Sequence, residues 1–187
     1  MRIVSGTNKG MKLYAPEGMS VRPTSDKIKE ALFNVLGYID QDSIVLDLFA
    51  GSGGIGIEFL ARGAEKCIFV DASNKSLSYV RKNLELCKFK ERAEVIKSDY
   101  ERALEDFANH SVQFDYIFAD PPYDLNCGVR IAEKVFENHL LKKTGNLIIE
   151  TDISEKVIDY LHIDMVRYKE KIYGRTRISI ITYAEEQ

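Results

Sequence analysis

The segment 45–56, VLDLFAGSGGIG, has the glycine content of a loop that holds a nucleotide. This glycine loop follows a predicted strand and opens a predicted helix, and its glycines allow a tight turn with a ligand close to the backbone. Gly51, Gly53 and Gly56 satisfy the GxGxxG spacing of dinucleotide-binding proteins. The Asp47 carboxylate, however, would repel a pyrophosphate and would suit a cation. The loop therefore favours a nucleotide-like ligand with positive charge, such as the amino-acid end of S-adenosylmethionine.

Two more acids follow the next two predicted strands. Asp71 ends the strand FVD, where its carboxylate can accept hydrogen bonds from ribose hydroxyls. Asp99 follows the third strand, where it could accept a hydrogen bond from the exocyclic amine of adenine or cap the next helix. Because ligands of open α/β sheets bind beyond the carboxyl ends of the strands, acids after three successive strands favour one binding site.

The fourth predicted strand is followed by the motif Asp120-Pro121-Pro122-Tyr123. Neither proline has an N–H, so the turn is stiff and its carbonyl groups point outward, and the tyrosine ring offers a stacking surface for a base. The exocyclic amine of a base is a poor nucleophile because its lone pair is delocalised. The Asp120 carboxylate and the Pro121 carbonyl would accept its protons and stabilise the charge that develops as it attacks a methyl group. The motif predicts methylation of a base amine; the alternative is a rigid turn with an exposed tyrosine.

Short apolar runs alternate with helical patterns between residues 44 and 150. The runs are rich in Ile, Val, Leu and Phe, as is typical of strands buried on both faces, and predict strands at 44–49, 67–70, 93–96, 116–119 and 146–150. Helices are predicted near 53–62, 74–88, 100–109 and 127–140, the last with a stripe of Ile131, Ala132, Val135 and Phe136. This alternation indicates an α/β fold with a mostly parallel sheet and helices on both faces.

The ends of the chain predict smaller elements around this core. Segments 2–5 and 11–14 predict a β-hairpin. Thr24 or Ser25 is expected to cap a helix whose apolar stripe is Ile28, Ala31, Leu32, Val35 and Leu36. We expect a short helix at 154–161 and an antiparallel hairpin of 165–173 and 176–183. The chain is expected to be one domain, 1–187, with an N-terminal extension (1–23) and a catalytic core (24–187).

Composition restricts the class of protein. Apolar residues make up 45% of the 187 residues and charged residues 29%, as in soluble globular proteins. We expect a cytoplasmic protein, because no apolar run could cross a bilayer and the first residues lack the pattern of a signal peptide. The three widely spaced cysteines predict reduced thiols without a metal or a disulfide.

The net charge of the chain is −3, but the charges are unevenly distributed along it. Residues 1–30 carry a balance of +3 and residues 166–178 a balance of +4, so the ends are basic and the middle is acidic. Such ends can form a positive face for a phosphate backbone. Ordinary solvated faces are the alternative.

The glycine loop and the Asp-Pro-Pro-Tyr motif together resemble the methyltransferases that act on exocyclic amines of adenine, cytosine and guanine. The flanking segments narrow the resemblance to the RsmD family, which methylates the N2 amine of a guanine in bacterial 16S ribosomal RNA. These segments are Arg2-Ile3-Val4-Ser5-Gly6, Lys9-Gly10, Leu13, Pro16, Gly18, Arg22-Pro23-Thr24, Lys27, Lys29-Glu30-Ala31-Leu32-Phe33-Asn34, Leu36 and Tyr173-Gly174-Arg175-Thr176. The resemblance covers essentially the whole chain. It implies a Rossmann-like class I methyltransferase with a seven-stranded, mostly parallel sheet.

The resemblance implies roles for the matching residues. Those that would hold S-adenosylmethionine are Asp47, Phe49, Gly51, Gly53, Asp71, Asp99 and Tyr100. The catalytic residues that would hold the target guanine are Asp120, Pro121, Pro122 and Tyr123. Arg22 and Thr24 would lie near the cofactor or the RNA, which is expected within an assembled or assembling small ribosomal subunit. The C-terminal basic run is expected to contact the RNA through Arg175 and Arg177. The family more often has Glu at position 71, and Ser73 stands where a second acid is usual. We also expect a monomer, because nothing in the sequence suggests an obligate dimer, and no metal, because the cysteines lack the spacing of a zinc site.

Three other functions remain open. A DNA adenine-N6 methyltransferase could share both motifs, although 187 residues leave little room for a DNA-reading domain, and no helix-turn-helix or zinc module is evident. A NAD-dependent dehydrogenase would use the loop glycines but leaves Asp47 and the Asp-Pro-Pro-Tyr motif unexplained. A catalytically silent RNA-binding module would need no cofactor loop, so cofactor binding separates it from the enzymes.

Overall fold

A computed structural model describes residues 1–16, 26–161 and 166–184, apart from the side chains of Asp124 and Tyr160. The described residues form seven strands: β1 (Ile44–Asp47), β2 (Lys66–Asp71), β3 (Ala93–Lys97), β4 (Phe114–Ala119), β5 (Leu141–Asp152), β6 (Val166–Tyr173) and β7 (Thr176–Tyr183). They also form six α-helices: α1 (Asp26–Leu36), α2 (Gly54–Ala61), α3 (Asn74–Cys87), α4 (Tyr100–Asn109), α5 (Gly128–Glu137) and α6 (Val157–Tyr160). Two short 3-10 helices lie at Lys90–Arg92 and Tyr123–Leu125.

The strands form one sheet in the order β3-β2-β1-β4-β5-β7-β6. Strands β1, β2 and β3 pair in parallel, as do β4 and β5, whereas β7 is antiparallel to both β5 and β6. The predicted parallel sheet and C-terminal hairpin are thereby confirmed. Strand β5 begins earlier than predicted, at Leu141, and its pairing with β4 shifts register between Phe114 and Tyr116.

The chain divides into two compact units, Met1–Asp99 and Tyr100–Gln187. In the first unit all eight residues of α2 are buried, as expected of a helix that is apolar on nearly every side. Gly56 permits its close contact with β2, because a Cβ there would overlap the Phe69 ring and lie 2.7 Å from the Cys67 sulfur. This packing fixes the end of the glycine loop.

Residues 1–16, the N-terminal segment, form the predicted hairpin with a single β-bridge between Arg2 and Lys12. The turn of this hairpin touches the end of α2. Gly6 has a φ of +71°, and a Cβ there would overlap the Ala61 carbonyl oxygen. Only glycine therefore fits at this contact.

Glu58, in the middle of α2, anchors the N-terminal segment. Its fully buried carboxylate accepts hydrogen bonds from the backbone N–H groups of Val4 and Ser5, at 2.9 and 3.0 Å. The Lys29 ammonium and the Arg62 guanidinium lie 3.2 and 3.0 Å from its oxygens. The buried charge is thus both paired and hydrogen-bonded, as a charge inside a protein must be.

Helix α1 buries a different face from the predicted one. Its most buried side chains are Lys29, Leu32 and Phe33. The other members of the predicted stripe are only half-buried: Ile28, Ala31, Val35 and Leu36. Lys29 turns inward because it pairs with Glu58, and burial lowers the pKa of its ammonium. This lysine therefore adds nothing to a basic surface at the N-terminal end of the chain.

In the second unit, α5 buries its predicted stripe of Ile131, Ala132, Val135 and Phe136, so that prediction is confirmed. The helix predicted at 154–161 forms only over the four residues of α6. Strands β4 and β5 run in the same direction, and β7 begins beside the end of β5, since Asp152 pairs with Thr176. The ends of β4 and β5 and the turn between β6 and β7 therefore share one edge of the sheet.

Candidate active site

The glycine loop leaves β1 and enters α2 through two residues in the left-handed region. Gly51 has a φ of +54° and Gly53 a φ of +83°, which L side chains rarely adopt. The Gly53 N–H donates to the Ala50 carbonyl at 2.6 Å and closes the turn. The Ala50 N–H donates to the Val70 carbonyl at 2.9 Å, which ties the loop to the end of β2.

Asp71 holds this loop through its carboxylate. One oxygen accepts the Gly51 N–H at 2.9 Å, and the other accepts the Ser73 N–H at 2.7 Å. Each carboxylate oxygen has a second lone pair that can accept a further hydrogen bond. Ser73 caps α3 by accepting the Ser76 N–H at 3.3 Å. Asp71 can therefore hold both the loop and a ligand hydroxyl.

Asp47, like Glu58, is a buried acid of the first unit. Its side chain is 1% exposed, and Oδ2 accepts the Gly56 N–H at 2.9 Å. Burial raises its pKa to about 7, and the charge of Asp71 acts in the same direction, whereas the hydrogen bond from Gly56 opposes both. A carboxylate with such a pKa gains from a nearby cation, because the cation offsets the cost of its burial.

Asn83 is a residue that sequence reasoning missed. Its fully buried side chain donates to the carbonyl oxygens of Ser52 and Tyr14, both at 2.9 Å, and accepts the Tyr14 N–H at 2.8 Å. It thus joins the glycine loop to the N-terminal segment. The available signal was a polar residue on the apolar face of α3, beside Val80 and Leu84.

The other predicted cofactor residues have more open positions. Phe49 is half-buried at the start of the glycine loop. Asp99 is exposed and directly precedes α4, so the adenine contact and the helix cap both remain predictions. In the second unit, the Tyr100 hydroxyl donates to Glu101 at 3.1 Å. Burial, first among several causes, raises the pKa of Tyr100.

The Asp-Pro-Pro-Tyr motif leaves the end of β4 as a tight turn. Asp120 is half-buried, Pro121 is buried and Pro122 is exposed. Tyr123 opens a 3-10 helix in which the Leu125 N–H donates to the Pro122 carbonyl at 3.0 Å. The Tyr123 side chain is 40% exposed, so part of its ring faces solvent and can stack on a base.

Acidic groups surround the Tyr123 hydroxyl. Burial raises its pKa, with smaller contributions of the same sign from Glu150, Asp120 and Asp152. A hydrogen bond with the buried Thr176 acts in the opposite direction. Sequence reasoning missed Glu150, because it lies inside a strand, where nothing in the local pattern separates it from other buried positions. Thr176 was noted only as part of the segment Tyr173-Gly174-Arg175-Thr176, without a role at the site.

The two C-terminal arginines differ in exposure. The Arg175 side chain is 79% exposed, and its Nε and Nη2 donate to Asp152 at 3.2 and 3.0 Å. Arg177 is buried and bound within the second unit, to Glu170 at 2.8 Å and to the Ile153 carbonyl at 3.1 Å. The guanidinium of Arg177 is thus committed to partners inside the unit, and an RNA contact by this residue stays a prediction. Arg175 keeps an accessible guanidinium.

The remaining predictions concern residues that the structure does not describe, the cysteines, metal sites and membrane-spanning helices. Arg22 and Thr24, together with the predicted helix cap at Thr24 or Ser25, lie outside the described residues. Cys67, Cys87 and Cys127 are buried free thiols. Within residues 1–16, 26–161 and 166–184, no group of three or more His, Cys, Asp or Glu side chains could hold a metal ion. No helix in the same ranges is long and apolar enough to span a membrane.

A mostly parallel seven-stranded sheet with a glycine loop after β1 and an acid at the end of β2 is the fold of S-adenosylmethionine-dependent methyltransferases of class I. Solved structures of methyltransferases have a similar fold. A "putative methylase" from Haemophilus influenzae is 31% identical, with a TM-score of 0.77 over 98% of both chains. An RNA methyltransferase from Salinibacter ruber, solved with S-adenosyl-L-homocysteine, has the same fold at 17% identity, with a TM-score of 0.64 over 89% of this chain and 96% of its own.

The chain belongs to the family described as "Conserved hypothetical protein 95", whose model matches residues 1–182. A Bacillus subtilis relative named "Putative rRNA methyltransferase YlbH" is 39% identical over 96% of this chain and 97% of its own length. A Haemophilus influenzae relative named "Ribosomal RNA small subunit methyltransferase D" is 36% identical over 84% of this chain and 82% of its own. The resemblance to the RsmD family is thereby confirmed.

Proposed function

We propose that this protein transfers a methyl group from S-adenosylmethionine to the N2 amine of a guanine in 16S ribosomal RNA. The observation that carries the proposal is the Asp-Pro-Pro-Tyr turn at the end of β4, with Asp120 half-buried and the Tyr123 ring partly open to solvent. It supplies the hydrogen-bond acceptors and the stacking surface that an exocyclic amine requires. Relatives named as small-subunit rRNA methyltransferases support the choice of polymer.

Charged and backbone groups of the first unit support the choice of cofactor. Asp47 offers a buried carboxylate for the ammonium of the amino-acid end, and the left-handed Gly51 and Gly53 keep the loop free of side chains there. Asp71 would accept a ribose hydroxyl, and Phe49 and Asp99 are the other proposed contacts of this unit. Tyr100, the first residue of the second unit, is a further proposed contact. When bound, the cofactor supplies a methyl group on a sulfonium sulfur.

The Asp-Pro-Pro-Tyr motif would prepare the target amine for reaction. Asp120 and the Pro121 carbonyl accept the two protons of the N2 amine, which localises its lone pair on nitrogen. Tyr123 holds the base by stacking, so that the lone pair keeps a fixed direction. The methylated amine becomes acidic enough to lose its proton to water, so the chain needs no dedicated general base.

The substrate RNA would be presented within a small ribosomal subunit, because a protein of this size has little surface with which to read sequence. We assign the enzyme to the cytoplasm as a monomer with a single catalytic domain. Arg175, which is exposed and oriented by Asp152, is the proposed phosphate contact beside the target base.

The test is a methyl-transfer assay with radiolabelled S-adenosylmethionine. Unmodified small ribosomal subunits, free 16S RNA and duplex DNA are compared, and the products are identified by nucleoside mass spectrometry. We expect label as N2-methylguanosine in the ribosomal substrates. Label as N6-methyladenine in DNA would overturn the proposed substrate and support the DNA methyltransferase instead. The Asp120→Ala variant is the control for chemistry by a contaminating enzyme.

A further inference from the structure

We infer that one face of strand β6 binds the phosphate backbone of the RNA and guides it away from the target base. This RNA track consists of Arg167, Lys169 and Lys171. The inference rests on the proposed function for the identity of the polymer. It adds a binding surface beyond the cofactor residues, the Asp-Pro-Pro-Tyr motif and Arg175.

Strand geometry places the three cations on one face. Side chains alternate between the faces of a strand, so residues 167, 169 and 171 point the same way, about 7 Å apart. This spacing is on the scale of the separation between neighbouring phosphates of a nucleic-acid strand. All three side chains are exposed, and β6 is the last strand in the sheet order.

The single acid of β6 does not cancel this charge. Glu170 lies on the opposite face, where it pairs with Arg177 at 2.8 Å and accepts the Ser179 hydroxyl at 3.0 Å. Within the described part of the chain, Lys169 and Lys171 form no ion pair. Glu150 and Asp152 lie on the same face but two strands away, on β5, where both are buried. The part of this face that β6 forms therefore presents positive charge on a protein whose net charge is −3, as electrostatic complementarity to a phosphate backbone requires.

The direction of the track points to the site. Directly opposed residues of an antiparallel pair share a face, and Tyr173 opposes Thr176 while Lys171 opposes Ile178. Thr176 thus lies on the face of the track, and its hydroxyl bonds with Tyr123. From Thr176 the cations follow at roughly 7, 14 and 20 Å along β6. An RNA whose target base stacks on Tyr123 could continue along this face.

The test compares two double variants with the same change in charge. K169Q/K171Q removes two cations of the track. K142Q/K143Q removes two lysines near the start of β5 in the same unit, whereas the Asp-Pro-Pro-Tyr motif follows the end of the parallel strand β4. Lys142 pairs with Asp115 at 2.8 Å, so the thermal unfolding of this variant is compared with that of the wild-type protein. The affinity of each protein for in vitro transcribed 16S RNA is measured between about 50 and about 200 mM KCl.

We expect K169Q/K171Q to lower the slope of log Kd against log salt by about 1.4, or about 0.7 for each phosphate that the variant no longer neutralises, and to weaken binding on the order of tenfold at low salt. The KM for RNA should rise. The kcat at saturating RNA and the affinity for S-adenosylhomocysteine should stay unchanged. K142Q/K143Q should match the wild-type protein. Equal slopes for the two variants would overturn the inference and leave Lys169 and Lys171 as ordinary edge-strand lysines that discourage sheet-to-sheet pairing.

Failure of the inference is distinguishable from failure of the proposed function. A wild-type protein that binds the RNA with a slope sensitive to K169Q/K171Q but forms no N2-methylguanosine would contradict the function and keep the track. A protein that methylates guanine and whose two double variants behave alike would contradict the track and keep the function. Thermal unfolding of all the variants checks that each one is folded.

Discussion

At the scale of single residues, Asp120 is the group on which the proposed chemistry depends most. We expect Asp120→Ala to lose kcat by about 10²- to 10³-fold, the usual cost of removing one group that stabilises developing charge. Affinity for S-adenosylhomocysteine should not change. Single-turnover methylation and calorimetric titration measure the two effects separately. A variant that loses cofactor affinity along with its activity would contradict the role of Asp120 as an acceptor for the target amine.

Tyr123 offers two contributions that substitution can separate. Tyr123→Ala removes the ring, and base stacking is worth about 1–3 kcal/mol, or roughly 5- to 150-fold in affinity. Tyr123→Phe keeps the ring and removes only the hydroxyl that bonds with Thr176. We expect the alanine variant to raise the KM for RNA more than the phenylalanine variant does. Equal losses would assign the effect to the hydroxyl and not to stacking.

Asp47 makes the stability of the ligand-free protein depend on pH. Its pKa is about 7 in the folded protein and about 3.9 in the unfolded chain. Between these values the unfolded chain has released a proton that the folded protein retains, so the free energy of unfolding falls as pH rises. The stabilising contribution is complete below about pH 4 and is lost as pH rises through about 7.

The asparagine side chain of an Asp47→Asn variant does not titrate. We expect this variant to lack up to roughly 4 kcal/mol of the decrease in the free energy of unfolding that the wild-type protein shows as pH rises. The asparagine oxygen can still accept the Gly56 N–H, so the start of α2 should be preserved. Urea unfolding of both proteins between about pH 4 and about pH 8 measures the difference. If the two proteins show the same pH dependence, another group is responsible for it.

At the scale of elements, two glycines of the glycine loop are required for different reasons, one for its backbone conformation and the other for its close packing. Gly51 needs its left-handed φ but has open space around it, whereas Gly56 is ordinary helix backbone pressed against Phe69 and Cys67. We expect Gly51→Ala to weaken cofactor binding at a cost in stability of about 1–2 kcal/mol. Gly56→Ala should destabilise the fold by about 1–3 kcal/mol or more through overpacking. Calorimetry and urea unfolding give the two quantities, and equal behaviour of the variants would contradict this division.

Sequence patterns anticipated the elements better than the partners of individual side chains. Runs of branched apolar residues located all five predicted core strands, and glycine spacing located the loop. Periodicity failed at α1, because Lys29 counts as polar in any pattern although Glu58 draws it into the core. The buried positions of Asn83 and Arg177 were not anticipated for the same reason, since their partners come from distant parts of the chain or from a neighbouring strand. Long-range pairing of polar groups is not encoded in local spacing.

At the scale of the whole molecule, ligand binding should raise thermal stability, because a ligand that binds only the folded state stabilises it by mass action. At about 100 times its Kd, S-adenosylhomocysteine should contribute about 2.7 kcal/mol and raise Tm by roughly 5–10 °C for a chain of this length. Differential scanning calorimetry with NAD as the comparison ligand tests this. A rise in Tm produced by NAD and not by S-adenosylhomocysteine would favour the NAD-dependent dehydrogenase over the methyltransferase.

The N-terminal segment is synthesised first, but it can reach its folded position only after its partners have been synthesised. Val4 and Ser5 bind Glu58, Tyr14 binds Asn83, and Asn8 binds the carbonyl of Cys87, which is 79 positions later. At about 5–20 residues per second, the segment waits roughly 4–16 s on the ribosome before its last partner has been made. Nascent chains arrested before Cys87 should therefore expose a beginning that proteases can cut, whereas longer ones should protect it.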